Sequence, residues 1–138
     1  MKELFILDAC ALIALLRKEV GAEIVTDIFK KALENSCLII MNKLNLLEVY
    51  YDTYRSESVE KADGMLGIVA RLPIYIKSEI SDEVLREAGR LKAEYKISIA
   101  DSVAVAETSI SGGALLTSDH HEFDIIEKSE NINFHWIR

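Results

Sequence analysis

The apolar residues of this chain fall into two kinds of pattern that take turns along its length. Short continuous apolar runs occupy residues 4–7, 37–41 and 114–117, and a fourth, led by a proline, occupies 73–76. Runs this short without polar alternation predict strands buried on both faces. Between them the apolar residues recur every three or four positions. That spacing predicts helices over 9–16, 22–33, 43–55, 59–71, 82–95 and 100–110. Asn42, Ser58 and Ser81 stand where N-caps are wanted. Residues 119–127 read as a short helix or turn. At the end Ile132, Phe134 and Trp136 alternate with polar residues, as on an edge strand. The order βααβααβααβαβ, with no hairpin signal, predicts an α/β fold whose parallel sheet is covered on both sides.

Finer expectations follow from the same spacing. Tyr50, Tyr51 and Tyr54, with Leu44 and Leu47, predict a core or subunit-contact face on the 43–55 helix. Val84, Leu85, Ala88, Leu91 and Tyr95 predict the inward face of the helix after Ser81. Gly64 and Gly67 weaken their helix by ~1 kcal/mol each relative to Ala and would suit close packing.

Composition narrows the class. Half of the 138 residues are hydrophobic and there is one Pro, which fits one ordered domain over residues 1–138. No apolar run reaches the ~18 residues of a spanning helix, and the N-terminus lacks the pattern of a secretory signal. A cytoplasmic protein away from the membrane is expected. Cys10 and Cys37 then read as buried thiols, not a disulfide, and neither lies in a zinc-spaced cluster. The net charge of −7 argues against a nucleic-acid partner unless a cation neutralises some of the acids. The basic clusters, Arg17 with Lys18, Lys30 with Lys31, and Arg86, Arg90, Lys92 and Lys96, read as solvated helix faces.

Four acids stand out by position. Asp8 follows the first strand, Glu48 lies early in the helix after the second, Asp101 opens the helix before the fourth, and Asp119 follows the fourth. If the first and fourth strands are neighbours where the sheet reverses direction, all four converge on one crevice, the usual ligand site of open α/β sheets. Carboxylates crowded there would raise one another's pKa, and a hard divalent ion such as Mg²⁺ or Mn²⁺ would relieve them. Singly, each has a plainer role. Asp8 and Asp119 can cap the helices that follow, and Asp101 completes a capping box with Ser98. Asn45, one turn before Glu48, and Thr117, Ser118, Glu122 and Asp124 are candidates to support the acids or touch a substrate. His120 and His121 read first as exposed loop residues.

These segments, 5–12, 45–49, 97–104 and 116–123, resemble the PIN-domain family, and within it the VapC-type toxin ribonucleases. The resemblance implies a three-layer α/β/α sandwich with a five-stranded, mainly parallel sheet. It implies that Asp8, Glu48, Asp101 and Asp119 are catalytic and bind Mg²⁺ or Mn²⁺. It also implies endonucleolytic hydrolysis of RNA, a homodimer, and a cognate antitoxin that blocks the site. One position departs: two residues after the first acid the family usually has Ser or Thr, and this chain has Cys10, whose thiol is a weak hydrogen-bond partner. The alternatives are an RNA-processing nuclease outside a toxin system and a non-catalytic binding module on the same scaffold. An Asp-x-Asp phosphatase is disfavoured because Cys10 stands where the second acid belongs.

Overall fold

The chain folds in the predicted order. In the computed structural model, which describes residues 2–138, the strands are β1 (Glu3–Leu7), β2 (Cys37–Asn42), β3 (Tyr75–Lys77), β4 (Ala114–Thr117) and β5 (Asn133–Trp136). The helices are α1 (Ala9–Arg17), α2 (Ala22–Leu33), α3 (Lys43–Ser56), α4 (Val59–Val69), α5 (Asp82–Glu94), α6 (Ile99–Ser111) and α7 (His120–Ser129). The five strands form one sheet in the order β3-β2-β1-β4-β5, and every pair is parallel. Succession along the sheet runs one way from β1 to β3 and the other way from β4 to β5. The reversal therefore falls between β1 and β4.

Successive side chains on a strand point to opposite faces, and the core divides accordingly. Phe5, Leu7, Cys37, Ile39, Met41 and Leu116 pack beneath α1–α4. Ile6 and Leu115 pack on the other face against Val84, Leu91, Val103 and Phe123 of α5–α7. This is the three-layer α/β/α sandwich. The caps foreseen at Asn42, Ser58 and Ser81 all form, accepting from the N–H groups of Leu44, Lys61 and Val84. Two glycines turn the chain from α6 into β4. Gly112 takes a positive φ of 75° as the helix C-cap, and a Cβ at Gly113 would stand 2.7 Å from the Leu4 carbonyl oxygen.

Several finer expectations are corrected. Tyr51 and Tyr54 are more than half exposed, so they are not core; the inward face of α3 is Asn45, Leu46, Val49 and Thr53. Leu85 points outward. Gly64 and Gly67 make no close packing, since a Cβ at either would meet nothing within 4 Å. β3 begins at Tyr75, because Leu72–Ile74 is spent on a tight turn in which the Ile74 N–H donates to the Leu72 carbonyl at 2.8 Å. Arg90 is engaged by Glu87, Glu94 and Glu130, and Arg17 by Asp52, so these cations serve ion pairs on the surface. No helix among the described residues is long and apolar enough to cross a membrane.

Candidate metal centre

The end of β1 builds the first wall of the crevice. Leu7 is wholly buried, and Asp8 leaves the strand with extended backbone to cap α1, its Oδ1 accepting from the Ala11 N–H at 2.9 Å. The Asp8 N–H donates to the Leu116 carbonyl of β4 at 3.4 Å, which ties the turn to the neighbouring strand. Asp8 is only 1% exposed, and burial pushes its carboxyl up from 3.8 to about 7. The Thr117 hydroxyl and the Ala11 N–H oppose that rise, while the charges of Asp119 and Glu48 add to it.

Asp119 caps α7 from the end of β4. It accepts from the Glu122 N–H at 3.2 Å, and its own N–H donates to Thr117 Oγ1 at 3.1 Å. On the opposite side, Ser98 caps α6 by accepting from the Asp101 N–H at 3.0 Å. The Ser98 hydroxyl also lies 3.4 Å from Glu48 Oε1, so it donates toward the second helix. Asp101 is pushed up to about 7, first by burial and then by the charges of Glu48, Asp8 and Asp119. Glu48 is raised by burial, opposed by Ser98 and reinforced by Asp119. Each of the four thus lies in the field of the others. The capping roles and the cluster coexist, because a carboxylate that caps with one oxygen keeps lone pairs for another partner.

The remaining candidates divide. Asn45 is wholly buried in the first turn of α3. Its Nδ2 donates to the Ala100 carbonyl at 3.0 Å, while its Oδ1 has no partner among the described residues. Thr117 sits between Asp8 and Asp119 as described. Ser118 is half-buried in the same turn and gives its carbonyl to the His120 N–H. Asp124 turns away from the acids to His120, whose Nδ1 lies 2.8 Å from its Oδ1. His120 also reaches the Arg138 carbonyl through Nε2 at 2.8 Å and stacks on Trp136. Glu122 and His121 line a separate cleft with Tyr95, Lys96 and Ile125. Cys10 is half-buried, not a core thiol, and the charges of all four acids help burial raise its pKa; the thiol therefore lies in the crevice. Ser98 was foreseen only as a cap. Its link to Glu48 spans 50 positions in the sequence and leaves no local signal.

The donor set fits a hard divalent cation. It offers carboxylate oxygens, two of them on groups that burial and the charges of neighbouring acids hold near 7, and a buried amide oxygen without a partner lies one turn before Glu48 on α3. As placed, no three His, Cys, Asp or Glu side chains among the described residues form a finished cage. Mg²⁺ does not require one, since it keeps several waters and takes one or two carboxylates directly.

The pattern of the PIN domain matches residues 5–128. The chain belongs to the PIN-domain family. Solved structures repeat the fold of this PIN domain over nearly its whole length. VapBC2 from Rickettsia felis, bound to a fragment of its promoter DNA, has a TM-score of 0.73 at 19% identity and covers 96% of this chain and 98% of its own. DNA-bound VapBC from Salmonella typhimurium has a TM-score of 0.70 at 17% identity, with both chains covered completely. VapC20 from Mycobacterium tuberculosis, a toxin that cleaves the sarcin-ricin loop, has a TM-score of 0.62 at 15% identity over 88% of this chain and 94% of its own. At these identities the likeness is one of fold. None of the curated proteins matches the PIN domain described here.

Proposed function

We propose that this PIN domain, residues 1–138 acting as one unit, is a metal-dependent endoribonuclease that hydrolyses RNA phosphodiester bonds in the cytoplasm. We propose further that it is the toxin of a type II toxin–antitoxin pair. The observation that carries the reading is the convergence of Asp8, Glu48, Asp101 and Asp119 on the crevice where the sheet reverses, with Asp8 held near 7 by burial and the charges of Asp119 and Glu48, and Asp101 by burial and the charges of Glu48, Asp8 and Asp119. These four would hold Mg²⁺ or Mn²⁺. Bound there, the cation supplies Lewis acidity toward a phosphodiester oxygen and lowers the pKa of an attacking water.

The protein's own groups do the positioning. Asp8 and Asp101 would have to give up their protons to hold the cation. Ser98 holds the α6 entry and Glu48 together, and Thr117 fixes the turn that presents Asp119. Asn45 ties α3 to α6 beneath them.

Structures of similar fold include a toxin–antitoxin complex from Klebsiella pneumoniae and VapBC-5 of a toxin–antitoxin system from Mycobacterium tuberculosis, and this supports a cognate antitoxin here. A groove of about 600 Å³ between α1, α3 and α4, lined by Leu16, Val49 and Met65 together with Arg17, Glu57 and Lys61, suits an amphipathic peptide segment. A homodimer is proposed through the exposed apolar residues Ile80, Leu85 and Ile99, which border a second, smaller groove. The test is incubation of the purified protein with a mixed structured RNA. Cleavage is expected with Mn²⁺ and none with EDTA. An intact RNA in both, across several RNAs, contradicts the nuclease reading.

A further inference from the structure

Glu107 takes no part in the crevice, yet it is a carboxylate only 4% exposed in the middle of α6, a helix otherwise buried through Ala, Val, Ser and Thr. Its Oε1 accepts from Lys77 Nζ at 2.8 Å and its Oε2 from Asn42 Nδ2 at 3.1 Å. Asn42 and Lys77 are register partners at the carboxyl ends of β2 and β3. Asn42 is also the N-cap of α3, with Oδ1 accepting from the Leu44 N–H at 2.9 Å, and its Nδ2 reaches the Glu79 carbonyl at 3.3 Å. An asparagine caps a helix only when its oxygen, not its nitrogen, faces the N–H. An acceptor on the far side of the amide fixes that orientation, and Glu107 is the charged one. One turn along, Asn45 donates to the Ala100 carbonyl. The first turn of α3 is thus bound to α6 at two points, and these are the helices that carry Glu48 and Asp101.

We propose that Glu107, held by Lys77, is a positioning residue: through Asn42 it fixes the first turn of α3 and so sets Glu48 against Asp101. The inference rests on the cation-site reading above. A buried carboxylate is costly even when paired, and a Leu of similar volume would pack against the same neighbours without that cost. What Leu cannot do is accept from Asn42.

Glu107→Leu removes the acceptor and leaves Lys77, a third exposed, free to turn into water. Glu107→Gln keeps an acceptor and loses the charge. Mn²⁺ binding is measured by calorimetry, and amide exchange is followed at Leu44, Asn45 and Leu46. Glu107→Leu is expected to weaken Mn²⁺ binding by about 10-fold, as loss of a residue that orients a metal ligand does. It should also speed exchange at the three amides, and Glu107→Gln should restore much of both. Wild-type Mn²⁺ affinity in Glu107→Leu overturns the proposal. So does an equal loss in Val25→Ala, a destabilising core truncation in α2, which carries none of the four acids, because the effect would then be one of stability alone. A wild-type protein that binds no Mn²⁺ overturns the cation-site reading, and this inference with it.

Discussion

Asp8 lies one residue past Leu7 and Asp119 three past Leu116, and Leu7 and Leu116 are register partners on adjacent parallel strands. The two carboxylates are therefore brought together by the sheet itself, and the charge of Asp119 helps hold Asp8 near 7. The crevice is a place where the fold gives up stability to keep anions close.

The first prediction follows from linkage. In the unfolded chain Asp8 titrates near 3.8, and in the native state near 7. Between those values the native state binds more protons, so the stability of the metal-free protein falls as pH rises from about 4 to about 7 and stays low above it. Asp8→Asn keeps a good N-cap and removes the charge. At pH 8 in EDTA it should gain up to about 4 kcal/mol, with little gain at pH 4. Denaturant unfolding at the two pH values checks this. Equal stability of Asp8→Asn and wild type at pH 8 counts against a strained site.

Mn²⁺ should reverse that strain. A ligand that binds only the native state raises its stability by about 2.7 kcal/mol at a hundred times its Kd. The melting temperature should therefore rise with Mn²⁺ at pH 8, rise less at pH 5.5 where protons compete, and not respond in Asp101→Asn. A differential scanning measurement with equal responses in both proteins removes Asp101 from the site.

Cys10 should be a poor nucleophile. Burial and the charges of the four acids all favour the thiol over the thiolate, and the thiolate is the reactive form. Mass spectrometry should show slow alkylation by iodoacetamide at pH 8 in EDTA, slower than for free cysteine. Cys10→Ser should retain Mn²⁺ binding and RNA cleavage. Fast alkylation would place Cys10 outside the acids' field.

Two glycines should respond in opposite directions. A Cβ at Gly113 meets the Leu4 backbone at 2.7 Å, so Gly113→Ala should lose about 1–3 kcal/mol. At Gly67, inside α4, a Cβ meets nothing, so Gly67→Ala should gain about 1 kcal/mol. Urea denaturation of both variants settles the pair.

The sequence displays the local features well, for physical reasons. Unbroken apolar runs mark strands covered on both faces, and caps at Asn42, Ser58 and Ser81 act within three residues of their partners. Asp8, Asp101 and Asp119 are legible because each sits at or beside an element boundary, and Glu48 because it stands among apolar residues early in a helix that follows a strand. The side of a helix that faces inward was harder to see. On α3 the fold buries Asn45 and Thr53 and exposes Tyr51 and Tyr54, because partners on α4, α1, α6 and β2 decide the rotation and residue type does not. Glu107 leaves no local signal, because Lys77, which meets it, lies 30 positions away. Asp124 and Glu122, close to Asp119 in sequence, are directed elsewhere by one turn of α7.

Proton release tests most directly whether Asp8, Glu48, Asp101 and Asp119 form one cation site. Near pH 7 Asp8 and Asp101 are each partly protonated in the metal-free protein, so taking up Mn²⁺ should expel about one proton in all. Calorimetric titrations at pH 7 in buffers of different ionisation enthalpy measure that number. Saturable binding is expected, with an enthalpy that varies with the buffer and a loss of that buffer dependence in the double variant Asp8→Asn, Asp101→Asn. Absence of binding, or binding without proton release in the wild type, would contradict a shared cation site.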